Sequence, residues 1–226
     1  MTVETPFAVT STVEDYAKAI YTLESRVGGA VSTNALAERL SVTPASASAM
    51  VKRLHDLDLV THVPYHGVRL TERGVEVALE VIRHHRLLEL YLAQSLGLPW
   101  DRVHDEAEVL EHVLSEELED LIAAQLGNPT HDPHGDPIPT RDGRIEDRRG
   151  ESLQDLDAGA EGVFVRISDS DPEMLRYLGE RGIAPGARLE VVEKQPFGGP
   201  LFVRFGSTRH VVGGALARAM RVEVDA

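Results

Sequence analysis

Apolar residues recur at intervals of three and four positions through the first half of the chain, which is the period of amphipathic helices. The pattern predicts a first helix that begins at Ser11-x-x-Glu14, a capping-box spacing, and ends near Gly28. It also predicts a long helix from Glu72 to about Leu96, which Thr71 can cap. Two shorter helices are expected over Val103–His112 and Glu116–Leu126. The first half is therefore mainly helical.

Between the first helix and the long one, the pattern predicts a helix-turn-helix followed by a hairpin. A short helix over Ser32–Leu40 precedes a second helix over Pro44–Leu57, with Thr43 as a suitable N-cap. The runs Leu59–His62 and Val68–Leu70 predict the two strands of a wing. This order is typical of winged-helix DNA-binding domains. The residues expected to face DNA are Thr43, Ala45, Ser46, Ala49, Lys52 and Arg53.

From Ser152 the pattern changes to short β-rich runs separated by Gly and Pro, which predicts a small barrel. The expected strands are Gly162–Ile167, Arg188–Glu193, Leu201–Phe205 and Ala219–Val224, with a short helix over Pro172–Arg181. The Pro- and Gly-rich segment Asn128–Gly150 is interpreted as connecting chain. Its His131 and His134 are interpreted as loop residues, because proline-broken backbone is a poor scaffold for metal ligands.

The fold class is therefore mainly α with a small β portion: an N-terminal winged helix-turn-helix, a helical dimerisation domain and a C-terminal β-barrel. The expected domains are a DNA-binding domain over residues 1–74, a helical metal-binding and dimerisation domain over 75–140, a linker over 141–151 and the barrel over 152–226. Surplus apolar faces on the two long helices favour a homodimer.

Composition narrows the functional classes. The chain has 226 residues, a net charge of −14 and no cysteine. The absence of cysteine excludes disulfides, thiolate metal sites and a cysteine nucleophile. The acidic balance argues against a simple polycation for nucleic acid, although it leaves room for a local DNA-binding face. No apolar run is long enough to span a membrane, so a cytoplasmic protein without a membrane partner is expected.

Side chains that bind metals cluster on the predicted helices. Glu108, Glu111 and His112 fall at i, i+3 and i+4, which places them on one helical face, and His104 lies one turn earlier. His85 and Glu89 form another i, i+4 pair on the preceding helix. The alternative interpretation is a solvated acidic helix with incidental histidines. Metal binding is favoured, because an apolar stripe at helical spacing runs beside these residues.

Two other classes of protein are alternatives to a winged-helix protein that binds a metal. Glu108-Val109-Leu110-Glu111-His112 is one residue away from a zinc-protease pattern, but glutamate stands where the first histidine belongs. The sequence shows no nucleophile signature, phosphate-binding glycine loop or dinucleotide fingerprint, so we do not expect an enzyme. A metal-independent winged-helix regulator remains the second alternative, in which the acidic helix serves only as an interface.

Taken together, the chain resembles the diphtheria toxin repressor family of metal-dependent transcriptional regulators, and the resemblance covers nearly all of it. The segments that carry it are Glu14-Asp15-Tyr16-x-x-x-Ile20-Tyr21-x-Leu23, the helix-turn-helix with its wing, His85–Glu89, His104–His112 and Gly135–Pro139. The resemblance implies a repressor that binds operator DNA as a homodimer and controls metal-homeostasis genes. It also implies that the barrel is SH3-like, of the FeoA type.

The resemblance further implies two metal sites per subunit. The primary set would comprise Asp15, Glu108, Glu111 and His112. The ancillary set would comprise His85, Glu89 and His104, completed from the barrel by Asp169, with Asp171 a weaker candidate. Lys18 stands where short manganese-responsive members carry a glutamate, so two separate sites are expected in place of a closely spaced pair.

The expected metal is Mn(II), with Fe(II) as the alternative. Iron-responsive members of the family place methionine and cysteine at the positions of Asp15 and Glu108, whereas both are carboxylates here. Carboxylate oxygens with one or two imidazoles suit a hard, octahedral ion such as Mn²⁺. The chain therefore resembles the manganese-responsive branch.

Overall fold

A computed structural model describes residues 9–63, 65–145 and 150–225, which form two compact units. The first unit comprises Met1–His84 with Pro139–Arg144, and the second comprises His85–Ile138 with Ile145–Ala226. Among the described residues, no helix is both long enough and apolar enough to cross a membrane.

The first unit contains the expected helix-turn-helix and hairpin. Its elements are α1 (Ser11–Val27), α2 (Thr33–Arg39), α3 (Pro44–Asp56), β1 (Val60–Val63) and β2 (Gly67–Leu70), followed by the start of α4 (Glu72–Leu96). Ser32 and Thr43 are the N-caps of α2 and α3. The Ser32 hydroxyl accepts from the backbone N–H of Ala35, and the Thr43 hydroxyl accepts from that of Ser46. The helix and strand assignments made from the sequence are confirmed here to within two residues.

The capping box expected at the start of α1 is wrong. The helix begins one residue earlier than that motif requires, with Thr10 as N-cap and Ser11 already helical. The backbone oxygen of Thr10 accepts from the N–H groups of Val13 and Glu14, at 2.7 and 3.0 Å. The side chain of Thr10 makes no capping hydrogen bond, so the periodicity located α1 correctly while the cap motif did not.

The wing is an antiparallel pair in which Val60 lies opposite Leu70 and Val63 opposite Gly67. Gly67 has a φ of +117°, and a Cβ at this position would lie 1.9 Å from the carbonyl oxygen of Val31. Glycine therefore allows a bridge between Val31 and Val68, which ties the wing to the connection between α1 and α2.

The helical part of the second unit contains the end of α4, then α5 (Val103–Leu110) and α6 (Glu116–Gln125). Helix α5 is shorter than expected, because it stops at Leu110 instead of continuing to His112. After Leu110 the backbone forms a tighter turn, in which the Val113 N–H donates to the Leu110 carbonyl three residues earlier, at 3.1 Å. Glu111 is the C-cap, and His112 lies in the turn beyond it.

The β portion is a six-stranded antiparallel sheet in the order β3-β8-β4-β5-β6-β7. The strands are β3 (Glu151–Ser152), β4 (Glu161–Ile167), β5 (Arg188–Lys194), β6 (Leu201–Phe205), β7 (Thr208–Val212) and β8 (Met220–Val224). Helices α7 (Pro172–Gly179) and α8 (Gly214–Ala219) accompany the sheet. Strand β7 was missed from the sequence, although Gly206-Ser207 between Phe205 and Thr208 is a two-residue hairpin signal.

Residues 128–138 form a closed loop, where the sequence predicted plain connecting chain. His131 pairs with Pro137 in an isolated bridge, and the Ile138 N–H donates to the Thr130 carbonyl at 2.8 Å. His134 is completely buried. Residues 146–149, within the expected linker, lie outside the described residues.

Candidate metal centre

Helix α4 presents His85 and Glu89 one turn apart, and both are buried, with exposed fractions of 5% and 1%. The Nε2 atom of His85 lies 3.0 Å from Oε1 of Glu89. Helix α5 brings His104 to the same point, where its Nδ1 lies 3.3 Å from that oxygen and 3.1 Å from His85 Nε2. Three of the predicted ancillary residues therefore meet at one carboxylate oxygen.

The fourth residue comes from the loop between β4 and α7. Oδ2 of Asp169 lies 3.2 Å from Nδ1 of His104. Asp171, the weaker candidate, is instead the N-cap of α7, where its Oδ1 accepts from the backbone N–H groups of Glu173 and Met174. One ligand atom from each of His85, Glu89, His104 and Asp169 lies within 4.8 Å of the others. We call these four residues the ancillary set.

The close contacts within the ancillary set shift the pKa values of its side chains. Hydrogen bonds to Asp169 and then to Glu89 raise the pKa of His104 to about 10. Burial alone would raise the pKa of Glu89, but His104, His134 and His85 outweigh burial and hold that pKa well below its ordinary value. Burial likewise opposes ionisation of Asp169, and its contact with His104 still lowers its pKa. The carboxylates are therefore ionised and available as oxygen donors.

Three residues of the predicted primary set belong to the second unit. Glu111 is buried and lies with its Oε2 2.5 Å from Nδ1 of His85. His112 lies 3.6 Å from Glu111, while Glu108, with 42% of its side chain exposed, lies 3.7 Å from His85 Nδ1. Asp15, the fourth, lies half-buried on α1 in the first unit.

His85 takes part in more than the sequence assigned to it. One ring nitrogen faces Glu89 and His104 of the ancillary set, and the other faces Glu111 and Glu108. His85, Glu108 and Glu111 also place ligand atoms within 4.8 Å of one another. One imidazole therefore contacts both groups of candidate ligands. The i, i+4 spacing alone could not show this, because it describes only one helix.

Comparison with known proteins bears on what this arrangement is. Three family models match in succession: the N-terminal DNA-binding domain of iron-dependent repressors over residues 8–68, their metal-binding and dimerisation domain over 71–140, and the FeoA domain over 151–224. The iron-dependent repressor IdeR of Mycobacterium tuberculosis is 35% identical, covering 94% of this chain and 96% of the relative. The chain belongs to the iron-dependent repressor family.

Other relatives and solved structures of the family agree over similar lengths. The diphtheria toxin repressor of Corynebacterium efficiens is 34% identical over 94% of this chain and 95% of its own. A manganese-dependent transcriptional repressor in complex with manganese is 42% identical, with a TM-score of 0.85 over 93% of this chain and 99% of that one. The manganese regulator SloR is 30% identical, with a TM-score of 0.74 over 98% of this chain and 100% of that one. The fold and family expected from the sequence are confirmed.

In this member of the iron-dependent repressor family, the six residues assigned to DNA contact all lie exposed. Five of them occupy one side of α3, and Thr43 caps its start. Ala47 and Leu54, on the other side, are fully buried. The hydroxyls of Thr43 and Ser46 lie 2.9 Å apart. The helix therefore offers a surface of small side chains, followed by the cations Lys52 and Arg53.

Two side chains of types that bind metals were not assigned to a site from the sequence: Asp132 was not considered, and His134 was interpreted as a loop residue. Asp132 and His134 are buried in the loop of residues 128–138, and each places a ligand atom within 4.8 Å of Glu89. The prolines in this segment suggested irregular chain. The available signal was Asp132, whose Oδ1 accepts from the backbone N–H groups of His134 and Asp136 at 2.8 and 2.9 Å and so forms a compact turn.

Proposed function

We propose that the protein is a homodimeric, Mn(II)-activated repressor that binds operator DNA and controls metal-homeostasis genes. The observation that carries the proposal is the ancillary set, a buried to half-buried group of oxygen and nitrogen donors in a chain without cysteine. The family supports regulation of transcription, and the exposed side of α3 supports DNA contact.

The donor types fit a hard divalent cation. Mn²⁺ is weakly held by most ligands in the divalent series, so a protein selects it by ligand type and geometry. His85, Glu89, His104 and Asp169 supply two imidazoles and two carboxylates, and these carboxylates are ionised. A bound cation would offset the negative charge of these carboxylates. The fold holds these four side chains together, and the neighbouring histidines keep the carboxylates of Glu89 and Asp169 ionised.

We propose that Asp15, Glu108, Glu111 and His112 form the primary set. This assignment rests on the family resemblance and on ligand type. The set has three carboxylates, one imidazole and no sulfur ligand, which again suits a hard cation. Close carboxylates repel one another in the absence of a cation. Metal then favours the DNA-binding state only to the extent that it binds that state more tightly.

We assign base contacts to Thr43, Ala45 and Ser46, and phosphate contacts to Lys52 and Arg53. The first turns of α3 have no Arg, Asn or Gln. Specificity is therefore expected from methyl contacts and from DNA shape. In a dimer, two such helices would read half-sites about 34–36 Å apart.

Exposed apolar side chains in the second unit support self-association. Val109 and Val113 are 71% and 76% exposed, and Leu118 and Leu121 of α6 are 48% and 61% exposed. Exposed apolar side chains clustered along a chain segment are typical of protein interfaces. A second copy of this chain is the occupant that we propose, consistent with the match to the family's dimerisation domain.

The alternative is an Fe(II)-dependent repressor of the same family. It is favoured by relatives named as iron-dependent repressors, such as that of Mycobacterium tuberculosis, and by the similar ligand preferences of Fe²⁺ and Mn²⁺. Asp15 and Glu108 favour manganese, because the resemblance places methionine and cysteine at these positions in iron-responsive members.

Fluorescence anisotropy of labelled DNA from the gene's own upstream region tests the function. The protein is titrated anaerobically at one salt concentration with chelator, Mn²⁺, Fe²⁺ or Zn²⁺, because salt alone changes DNA affinity. We expect Mn²⁺ to promote binding at the lowest free metal concentration. A stronger response to Fe²⁺ would establish the alternative, and equal binding in chelator would contradict metal dependence.

A further inference from the structure

Glu89 stands between two groups of buried donors, and each of its oxygens faces one of them. Oε1 contacts His85 and His104, as described above. Oε2 lies 3.7 Å from Nδ1 of His134, which comes from the loop of residues 128–138. Asp132 of the same loop completes a group of three whose ligand atoms lie within 4.8 Å of one another. We call Glu89, Asp132 and His134 the loop set.

His134 is held in the orientation of a ligand. Its Nε2 lies 2.8 Å from the carbonyl oxygen of Trp100, and because that oxygen only accepts, Nε2 is the donor. The Trp100 ring stacks on the imidazole, with ring centroids 5.7 Å apart. Metal-binding histidines are commonly oriented in this way, by donating the other ring N–H to a carbonyl or carboxylate.

The remaining ring nitrogen of His134, Nδ1, is paired only over a long distance. The imidazole is fully buried, and within the described ranges its Nδ1 has no hydrogen-bond partner and lies 3.7 Å from Oε2 of Glu89. An unpaired buried polar atom is costly, so native proteins rarely keep one without an ordered water, an ion or a function. Glu89 and Asp132 are the carboxylates grouped with this nitrogen. Nδ1 of His134 therefore lies beside two carboxylates, which are donors that a divalent cation prefers.

Asp132 is positioned by its own loop. Its Oδ1 accepts from two backbone N–H groups, while its Oδ2 lies 3.9 Å from Nε of Arg86. Arg86 also contacts Asp136 and the carbonyl oxygen of Pro137, so it holds the loop as a whole. Within the part of the chain that the structure describes, Oδ2 makes one long ionic contact, so it can serve as a cation ligand while Oδ1 maintains the turn.

The geometry points to a third cation per subunit, bound by the loop set and bridged through Glu89 to the cation of the ancillary set. This inference rests on the proposed function, because it takes the ancillary set as the site of the first of the two ions. The two ions of two-metal sites in proteins lie about 3.5–4 Å apart. A shared carboxylate makes the two ions dependent on each other, since either one fixes the ligand that the other needs.

The test uses the metal-free, full-length protein loaded with Mn²⁺. Equilibrium dialysis with elemental analysis counts the bound ions, and electron paramagnetic resonance distinguishes isolated from spin-coupled Mn²⁺. We expect the wild-type protein to show a spin-coupled signal at saturation. Asp132→Asn and His134→Gln should each lose one equivalent per subunit and the coupled signal, while an isolated signal from the ancillary set remains.

His131→Gln is the matched control, because His131 is an exposed histidine of the same loop. It should retain the wild-type count and the coupled signal. The bound-ion count of wild-type protein needs no variant, so a misfolded loop variant cannot hide it: three Mn²⁺ per subunit are expected, against two from the ancillary and primary sets alone. Only isolated signals in saturated wild-type protein, with an unchanged count in Asp132→Asn, would overturn the bridge. If Mn²⁺ still activates DNA binding in that case, the proposed function stands without the third ion. If Mn²⁺ neither activates DNA binding nor gives a coupled signal, the proposed function and the third ion are both contradicted.

Discussion

The ancillary set and the exposed side of α3 are opposite kinds of surface. The former is buried or half-buried and charged, and its histidines and carboxylates contact one another at 3.0–3.3 Å. The latter is exposed, mostly uncharged and built from small side chains. Buried charges are strongly coupled, whereas exposed groups act nearly independently. Single substitutions should therefore have large effects at the ancillary set and small, separable effects on α3.

The largest effect is expected from Glu89→Gln. The variant removes the carboxylate shared by three histidines, so Mn²⁺ affinity measured by calorimetry should fall at least about 100-fold, beyond the range of about 10–100-fold typical of outer-shell partners. Glu106→Gln is the control, because Glu106 is an exposed carboxylate on α5. Equal Mn²⁺ affinity in Glu89→Gln and the control would show that these residues do not bind the ion.

Acid should weaken metal binding at the ancillary set. His104 has a pKa of about 10 and is therefore protonated in the metal-free protein at neutral pH. A ligating imidazole must lose its proton, so affinity should rise about tenfold per pH unit while pH stays below that pKa. Calorimetry in buffers of different ionisation enthalpy should detect release of about one proton. Binding with no pH dependence would contradict ligation by His104.

The raised pKa of His104 also determines how the stability of the metal-free protein changes with pH. Because the folded value lies above the unfolded value of 6.5, the contact of His104 with Asp169 and Glu89 stabilises the metal-free protein fully below that pH. The stabilisation is lost as pH rises through about 10. Asp169→Asn removes the largest cause of the shift. Thermal melts of the two proteins should therefore converge at alkaline pH, and a constant difference would count against this cause.

A moderate effect is expected from the cations of α3. Lys52→Ala and Arg53→Ala should each weaken DNA binding to all sequences by a similar factor. Each should also lower the slope of log affinity against log salt by about 1, since one phosphate contact is lost. Anisotropy titrations at several salt concentrations measure this. Arg102→Ala, a change at an exposed arginine outside α3, should leave the slope unchanged, and a changed slope there would argue against localised contact.

The smallest effect is expected from Ser46→Ala. Loss of one exposed hydroxyl should cost about 1 kcal/mol or less and should alter preference at one base position without changing the salt slope. Binding to a library of singly substituted operators would show this. Ser48→Ala is the matched control, because Ser48 is exposed on the same helix but outside the assigned set. A uniform loss of affinity in Ser46→Ala would reassign Ser46 to phosphate contact.

The sequence was most informative where one physical rule acted within one element. Helical periodicity located α4 from Glu72 to Leu96, and Thr43 with Pro44 located the start of α3. The end of α5 was not predictable in this way, because the ligand spacing continued to His112 while the backbone turned after Leu110. Motif spacing and helix length are separate constraints, and here they diverge.

Residues far apart in the chain were harder to place. Asp169 was selected over Asp171 from a loose resemblance alone, and the physical distinction is that Asp171 is needed to cap α7. His134 was set aside because of the neighbouring prolines, and Asp132 was not considered. Their burial depends on Arg86 and on the pairing of the loop with β4, where the Ile167 N–H donates to the His134 carbonyl at 2.9 Å. Neither contact has a local signature in the sequence.

The central claim is that metal binding and operator binding are coupled, and reciprocity tests it most directly. The free Mn²⁺ concentration at half-saturation should be measured anaerobically with and without saturating operator DNA at one salt concentration. If metal activates DNA binding, operator must tighten metal binding by the same factor. We predict that the midpoint moves to lower free Mn²⁺ when operator is present. An unchanged midpoint would contradict the account, even if Mn²⁺ binds tightly.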